Sequence, residues 1–389
     1  MVFRVHLNTT AHLKKVLKLG EEVGLALNID KTPRVSRAGS LINVEIVLPD
    51  QFRRSLPVEA LPQEKGLWAT VGQTVIGQSV RVNLTGVRTC HSLISGMTGS
   101  GKTVLQWLVA WIIVKNNHPK DVRMLLIDGK GGTRWNGFQD VPHLLMPVIG
   151  DPADAVRALA WVVMTMDARK KSGVVHPTIF VIIDELRDLI TVAGDEIATA
   201  LDRLTAVGRE LGIHVIAATQ KPLSDAVGGS IAKANFPARW CGSMPSAQDA
   251  YIATGKGDTG AHCLNGLGDF VFVAANSTHR IQVALIGTEH LGALQRSAYP
   301  AQMPNILGDL DLSRVLGVTK VTSKRTMDEI KQIEMLAWAL ANPVGAKKIR
   351  EQFGGAMDTA RFIRRLAQGV RGQWKTLGVS SPKRVAEEA

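Results

Sequence analysis

The run Gly96-Met97-Thr98-Gly99-Ser100-Gly101-Lys102-Thr103 constrains this chain more than any other feature. It fits G-x-x-x-x-G-K-[ST], the glycine-rich loop that cradles phosphates in nucleotide hydrolases. His91-Ser92-Leu93-Ile94-Ser95 precedes it and reads as a strand, and Val104 to Val114, almost wholly apolar, reads as a helix. A strand, a glycine-rich loop and a helix in that order are the context the motif requires. Gly96, Gly99 and Gly101 let the backbone turn N–H groups inward, together with those of Thr98 and Ser100. The helix N-terminus adds partial positive charge at the same point. Lys102 is placed to reach the β- and γ-phosphates of ATP, and the Thr103 hydroxyl to ligate Mg²⁺.

A phosphate loop demands a strand end beside it that carries acid. Thr178 to Ile183 is a continuous apolar run that ends in Asp184-Glu185. An aspartate at that place holds the Mg²⁺ shell, so Asp184 and Thr103 are the expected metal ligands. Glu185 can polarise the attacking water as a general base. The strand Ile213 to Thr219 ends in Gln220, an amide able to bond both water and phosphate. Asp128, at the end of Met124 to Asp128, is either a group behind the acids or a turn former. Arg209 precedes the Gln220 strand; it is either a finger reaching a neighbouring subunit's nucleotide or a surface arginine, and Arg239 is a second candidate for the finger.

Apolar strands alternate with helical stretches from Thr89 to about Leu294, which implies a mainly parallel sheet covered on both faces. Strands are expected at 124–128, 178–184, 213–219, 239–241 and 269–273, and helices near 151–172, 195–211 and 246–254. Residues 1–87 read as a small α/β region, with a helix from Ala11 and strands at 35–37, 41–48, 69–77 and 80–84. Residues 88–296 form the expected core, 297–325 a linker, 326–378 a helical module and 379–389 a polar tail.

No stretch approaches the ~18 continuous apolar residues of a membrane span, and the N-terminus lacks the layout of a signal peptide. Cys90, Cys241 and Cys263 have no metal-ligand spacing, as expected of reduced thiols. A cytoplasmic protein is therefore expected, with a membrane-bound partner left open. Net charge is +12. From Lys320 to Ala389 there are 14 Lys and Arg against 7 Asp and Glu, an electrostatic footprint for nucleic acid. Within it, 344–353 and 357–367 read as helices around the turn Gly354-Gly355-Ala356. That is either a helix-turn-helix or a helical hairpin packed on the core. In the first case Lys347, Lys348, Arg361, Arg364 and Arg365 lie near DNA.

The ordered set of motifs resembles the FtsK/SpoIIIE DNA translocases over roughly residues 10 to 295. It comprises the phosphate loop, Ile127-Asp128-x-Lys130, Pro142-His143-Leu144-Leu145, Val181 to Glu185 and Gly212 to Gln220. Ile231 to Arg239 and Gly266-x-Gly268-Asp269 complete it. The resemblance implies a RecA-like core, a ring-shaped homo-oligomer (usually a hexamer), ATP hydrolysis at subunit interfaces and double-stranded DNA in the central channel. It assigns Lys102, Asp184, Glu185 and Gln220 to hydrolysis, Arg209 to the trans-acting arginine and the last segment to a winged-helix-like module. Lys221 stands where the family usually has arginine, and the stretch from Asp128 to Asp184 is short. With no N-terminal membrane region, these departures suggest a plasmid, phage or integrative-element relative, or an isolated motor. Two other functions fit the same motifs: an ATP-switched DNA-binding partition protein, and a coupling ATPase feeding single-stranded DNA or protein to a secretion channel.

Overall fold

The structure is a computed structural model. It describes residues 2–6, 13–29, 33–38, 40–46, 54–220, 235–275, 277–298, 301–302, 312–316, 347–348 and 351. The chain divides into two compact units, residues 1–317 and 318–389. The elements of the first unit begin with β1 (Val2–His6), α1 (Leu13–Val16), α2 (Gly20–Ala26), β2 (Arg34–Ala38) and β3 (Leu41–Glu45). β4 (Trp68–Thr74), β5 (Ser79–Asn83), β6 (Ser92–Ser95), α3 (Lys102–Asn116) and β7 (Val122–Asp128) follow. Then come α4 (Pro152–Ser172), β8 (Thr178–Asp184), α5 (Leu186–Val207), β9 (Ile213–Thr219) and β10 (Ala238–Cys241). α6 (Ala247–Thr254), β11 (Asp269–Ala274), β12 (Ser277–Val283), α7 (Thr288–Gly292) and α8 (Leu312–Leu316) complete the unit.

A nine-stranded sheet of order β5-β4-β12-β11-β10-β6-β9-β8-β7 organises this unit. Strands β10, β6, β9, β8 and β7 run parallel. The other four continue the sheet antiparallel. The parallel half is the expected one; the sheet as a whole is mixed. Every residue of β8 and β9 is buried, as strands covered on both faces require. Phe180 and Ile182 pack with Leu105, Leu108 and Ile112 of α3 in one core. The alternation of strand side chains sends Ile179, Val181 and Ile183 to the opposite face, where α5 packs on β9 and α4 on α5.

Helix boundaries follow local chemistry. Asp151 caps α4 by accepting from the Ala153 and Asp154 amides, and Pro152 opens the helix. Gly173, at φ 73°, closes it in the left-handed conformation after Arg169, Lys170 and Lys171. α5 begins at Leu186, directly after Glu185, and bends at Gly194 (φ 39°, ψ −120°).

Three strands of the main sheet depart from the sequence reading. β12 has an exposed, polar first half, and only Ile281 and Val283 are buried, so its periodicity is weak. β4 and β5, read as part of the N-terminal region, pair into the main sheet through β12. The smaller sheet is β1-β3-β2. Its Glu45 meets Arg280 of β12 at 2.6 Å, and Arg280 also grips Asp269 with two bonds of 3.0 and 2.7 Å. Burial opposes the charge on Arg280, but the two carboxylates outweigh it and raise its pKa. A buried triad of this kind ties the small sheet to the start of β11; removing one member would strand the others' charge.

His91 and His214 are buried beside the starts of β6 and β9. His91 Nδ1 accepts the Val215 amide at 3.1 Å, and His214 Nδ1 lies 3.2 Å from the Cys90 carbonyl. Burial, then the neighbouring His214 and Arg209, push the His91 pKa down to about 3. Burial and Arg209 push His214 down to about 4. Unfolded histidines take up a proton near pH 6.5, whereas these stay neutral in the fold. Their contribution is complete above about pH 6.5 and is lost progressively as pH falls toward about 4 for His214 and about 3 for His91. Denaturant titrations should therefore show stability declining by a few kcal/mol, to order of magnitude, across that window. A His91→Gln/His214→Gln double variant should lose less over the same interval; an identical decline would contradict the assignment.

Candidate active site

The loop of residues 96–101 leaves β6 and enters α3 with its path fixed by neighbouring backbone. The Gly96 amide donates to the Thr219 carbonyl (3.3 Å) and the Met97 amide to that of Ser243 (2.9 Å). From the other side, the Leu267 amide donates to the Gly99 carbonyl and the Gly268 amide to that of Ser100, both at 3.0 Å. Gly99 (φ 82°) and Gly101 (φ 100°) are left-handed. A Cβ on Gly101 would lie 2.8 Å from the Gly268 nitrogen, so side chains are excluded there on two counts. The first-turn amides of α3, at Lys102 and Thr103, have no helical acceptor before them.

Lys102 is buried, and its Nζ donates to the Gly96 (2.7 Å) and Met97 (3.1 Å) carbonyls. Burial lowers its pKa, while Glu185 and Asp184 oppose that shift. The acids come from β8, two strands away from β6, with β9 between them. Asp184 is buried; burial raises its pKa, and Arg134, whose Nη1 lies 2.9 Å from Oδ2, counters it. Its Oδ1 is buried with no hydrogen-bond partner. Glu185, also buried, sits at φ 59° and ψ 57°. A left-handed non-glycine residue costs roughly 1–3 kcal/mol, a strain typical of functional sites. Its Oε1 accepts the Gln220 amide at 3.0 Å, and its Oε2 faces Lys130 Nζ at 3.4 Å. The Gln220 side chain accepts from the Thr98 hydroxyl at 3.4 Å. Gln106 of α3 donates to the Ile183 carbonyl at 2.9 Å, which ties the loop's helix to the acidic strand.

Lys102, Thr103, Thr98, Gly99 and Gln220 thus line one cleft of about 770 Å³, with Asp184 and Glu185 behind them. Leu56, Leu267, Val283 and Leu285 give it an apolar wall. A larger groove, of about 1000 Å³, lies at the opposite end of β12.

Arg209 is not brought to this cleft. It occupies the turn Gly208–Leu211 before β9, whereas Gln220 follows that strand. Seven strand residues separate the two ends by roughly 20 Å. There Arg209 is half-buried and pairs with Glu210 at 3.1 Å. Arg239 folds into the body: its Nε donates to the Phe236 carbonyl (3.4 Å). A Cβ on Gly255 would sit 2.4 Å from its guanidinium. Lys347 and Lys348 are exposed in a helical turn of the second unit. Arg361, Arg364 and Arg365 lie outside the described residues, as does Lys221.

Asp128 stands opposite Asp184 in strand register and is fully buried. Its carboxylate accepts the Lys130 (3.0 Å) and Arg134 (3.3 Å) amides, which gives it the turn-forming role. Sequence reasoning gave no role to Lys130, Arg134, Ser243, Leu267 or Gly268. The signal available was the glycine spacing at 129, 131 and 132 after a strand-end acid, and at 266 and 268 before β11.

The chain is similar to known proteins in sequence and in fold. The FtsK/SpoIIIE family model matches residues 63–175 and 170–224. The DNA translocase FtsK of Leptospira interrogans is 31% identical over 319 residues, covering 74% of this chain and 33% of that protein. The DNA translocase FtsK of Sporosarcina ureae is 31% identical over 338 residues, 76% of this chain and 43% of that one. The chain thus spans between a third and a half of the length of these curated relatives. Among solved structures, the monomer form of the pCW3 conjugation coupling protein TcpA with ATPγS superposes with a TM-score of 0.54. It is 21% identical, and the match covers 74% of this chain and 86% of that one. The cytoplasmic domain of the type VII secretion ATPase EccC of Thermomonospora curvata gives 0.53 at 19% identity, covering 63% and 33%. These two likenesses speak for the fold.

The clamp on the loop generates a prediction. A Cβ on Gly242 would lie 2.7 Å from Ser100 Cβ, inside the loop. Gly242→Ala should weaken binding of a fluorescent ATP analogue at least about tenfold, by displacing Ser100, with the far-UV spectrum kept. Gly257→Ala, where nothing lies within 4 Å, should leave binding unchanged. Equal affinities in the two variants would refute the clamp.

Proposed function

Residues 63–224 are an FtsK/SpoIIIE-family domain, and from that we propose that the protein is a DNA-translocating ATPase: a ring-shaped homo-oligomer, six protomers to the ring, that hydrolyses ATP in the cytoplasm to move double-stranded DNA. The observation that carries the reading is the acid pair on β8, held against the phosphate loop by Gln220 and Gln106.

In this reading the loop amides and Lys102 take the phosphates of ATP. Glu185 accepts a proton from the water that attacks the γ-phosphorus, and its fixed backbone and the Gln220 amide aim the carboxylate. The bond from that phosphorus to the bridging oxygen breaks, which leaves ADP and phosphate. Gln220 joins the reacting phosphate to the Thr98 side of the loop. The residues present fit a Mg²⁺ ion: Asp184 Oδ1 is a buried oxygen with no hydrogen-bond partner, and Thr103 lines the cleft in front of the acids. Asp184 and Thr103 would hold the ion, which would draw its further ligands from water and phosphate oxygens. When bound, Mg²⁺ neutralises charge developing on the phosphate oxygens.

Arg209 serves a cleft other than its own. Its distance from Gln220 within one chain supports an action across a subunit interface. The DNA partner rests on the family and on the basic segment from Lys320 onward, where Lys347, Lys348, Arg361, Arg364 and Arg365 are the proposed contacts. Among the described residues no helix is long and apolar enough to cross a membrane.

Steady-state ATPase rates test this directly. Duplex DNA should raise the rate, and Lys102→Ala should abolish it. A rate unmoved by saturating duplex contradicts the motor, and stimulation by single strands alone favours a coupling ATPase. Arg209→Ala should bind nucleotide normally yet lose turnover by a factor on the order of 10³. Mixing Arg209→Ala with Glu185→Ala subunits should restore part of the activity; no restoration at any ratio removes the trans role.

A further inference from the structure

The loop after β7 carries two cations onto the two acids. Asp128 folds that loop by accepting the Lys130 and Arg134 amides. Arg134 Nη1 then reaches Asp184 Oδ2 at 2.9 Å, and Lys130 Nζ comes within 3.4 Å of Glu185 Oε2. The two contacts differ in what they leave over. Asp184 is 1% exposed, and only the oxygen facing Arg134 has a hydrogen-bond partner. Arg134 is 38% exposed and lines the same cleft as Lys102, Thr103 and Gln220. A guanidinium keeps its charge under all ordinary conditions. On one oxygen of a carboxylate, it competes with any divalent cation on the other oxygen for the same negative charge.

The geometry points to Arg134 as a positioning residue that sets how strongly Asp184 holds a divalent cation, and hence how far nucleotide binding depends on that cation. The inference rests on the reading of the cleft as a nucleotide site. Arg134 has two opposed effects there. It adds positive charge to the wall that a polyphosphate faces, which strengthens binding without metal. It also draws on the charge of Asp184, which weakens the metal's contribution. Its removal therefore shifts the two in opposite senses. A purely structural loss, such as collapse of the 128–134 loop, weakens both alike.

The experiment is a titration of the purified full chain with a fluorescent ATP analogue, in EDTA and in excess Mg²⁺. The ratio of the two dissociation constants is the readout. In Arg134→Gln, binding in EDTA should weaken roughly threefold, and the gain from Mg²⁺ should grow roughly tenfold over wild type. Arg134→Met keeps the apolar stem and should show the same two shifts. Arg134→Lys keeps the charge and should hold the ratio within about threefold of wild type. A ratio unchanged or smaller in Arg134→Gln or Arg134→Met overturns the proposal, as does an equal rise in Arg134→Lys. The cleft itself is tested separately by Lys102→Ala: wild-type affinity there would overturn the nucleotide site, whatever Arg134 does.

Discussion

Backbone hydrogen bonds from three directions hold the glycine-rich loop, and the rest of the site depends on them. Fixing one residue costs roughly 1–2 kcal/mol of backbone entropy, and glycine loses the most. Four bonds at roughly 0.5–1.5 kcal/mol each recover only part of that for a six-residue loop. Packing supplies more: Gly96 and Gly242 close on Ser100 and Gly101 closes on Gly268, with no room for a further methyl group at any of the three glycines. The antiparallel half of the sheet therefore helps to hold the loop. It delivers Leu267 and Gly268 to the loop's outer side, and the Arg280 triad fixes Asp269 immediately behind them.

Charge is balanced within the same small space. Lys102, Lys130 and Arg134 face Asp128, Asp184 and Glu185. An isolated buried carboxylate would cost several kcal/mol, to order of magnitude, or would take up a proton. Two cations from one loop let both acids sit at the end of β8 beside a site built for phosphate. The left-handed backbone at Glu185 is maintained by what surrounds it: the Gln220 amide on its carboxylate and the start of α5 directly after it.

The parallel half of the fold was legible because its signals are local and strong. β7, β8 and β9 are rich in apolar residues, interrupted only by Arg123 and His214 and closed by polar ends, and each boundary stands within two residues of its expected place. The loop, Asp184, Glu185 and Gln220 were legible as motif. β12 was not, because a half-exposed strand of Ser, Thr, His and Arg has no apolar rhythm. Arg134 was not, because its partner is fifty residues away in sequence and meets it only through the register of β7 on β8. Asp128 could be read two ways, and only the amides folded onto its carboxylate distinguish them. The basic helices expected at 344–353 and 357–367 fall almost wholly outside the described residues.

A motor differs from a switch in doing work along the duplex, and a bound third strand reports that work. The decisive measurement is displacement of a labelled triplex-forming strand from linear duplex DNA. Release that requires ATP and fails with a non-hydrolysable analogue is the expected result. Sustained ATP hydrolysis with the third strand left in place would contradict translocation.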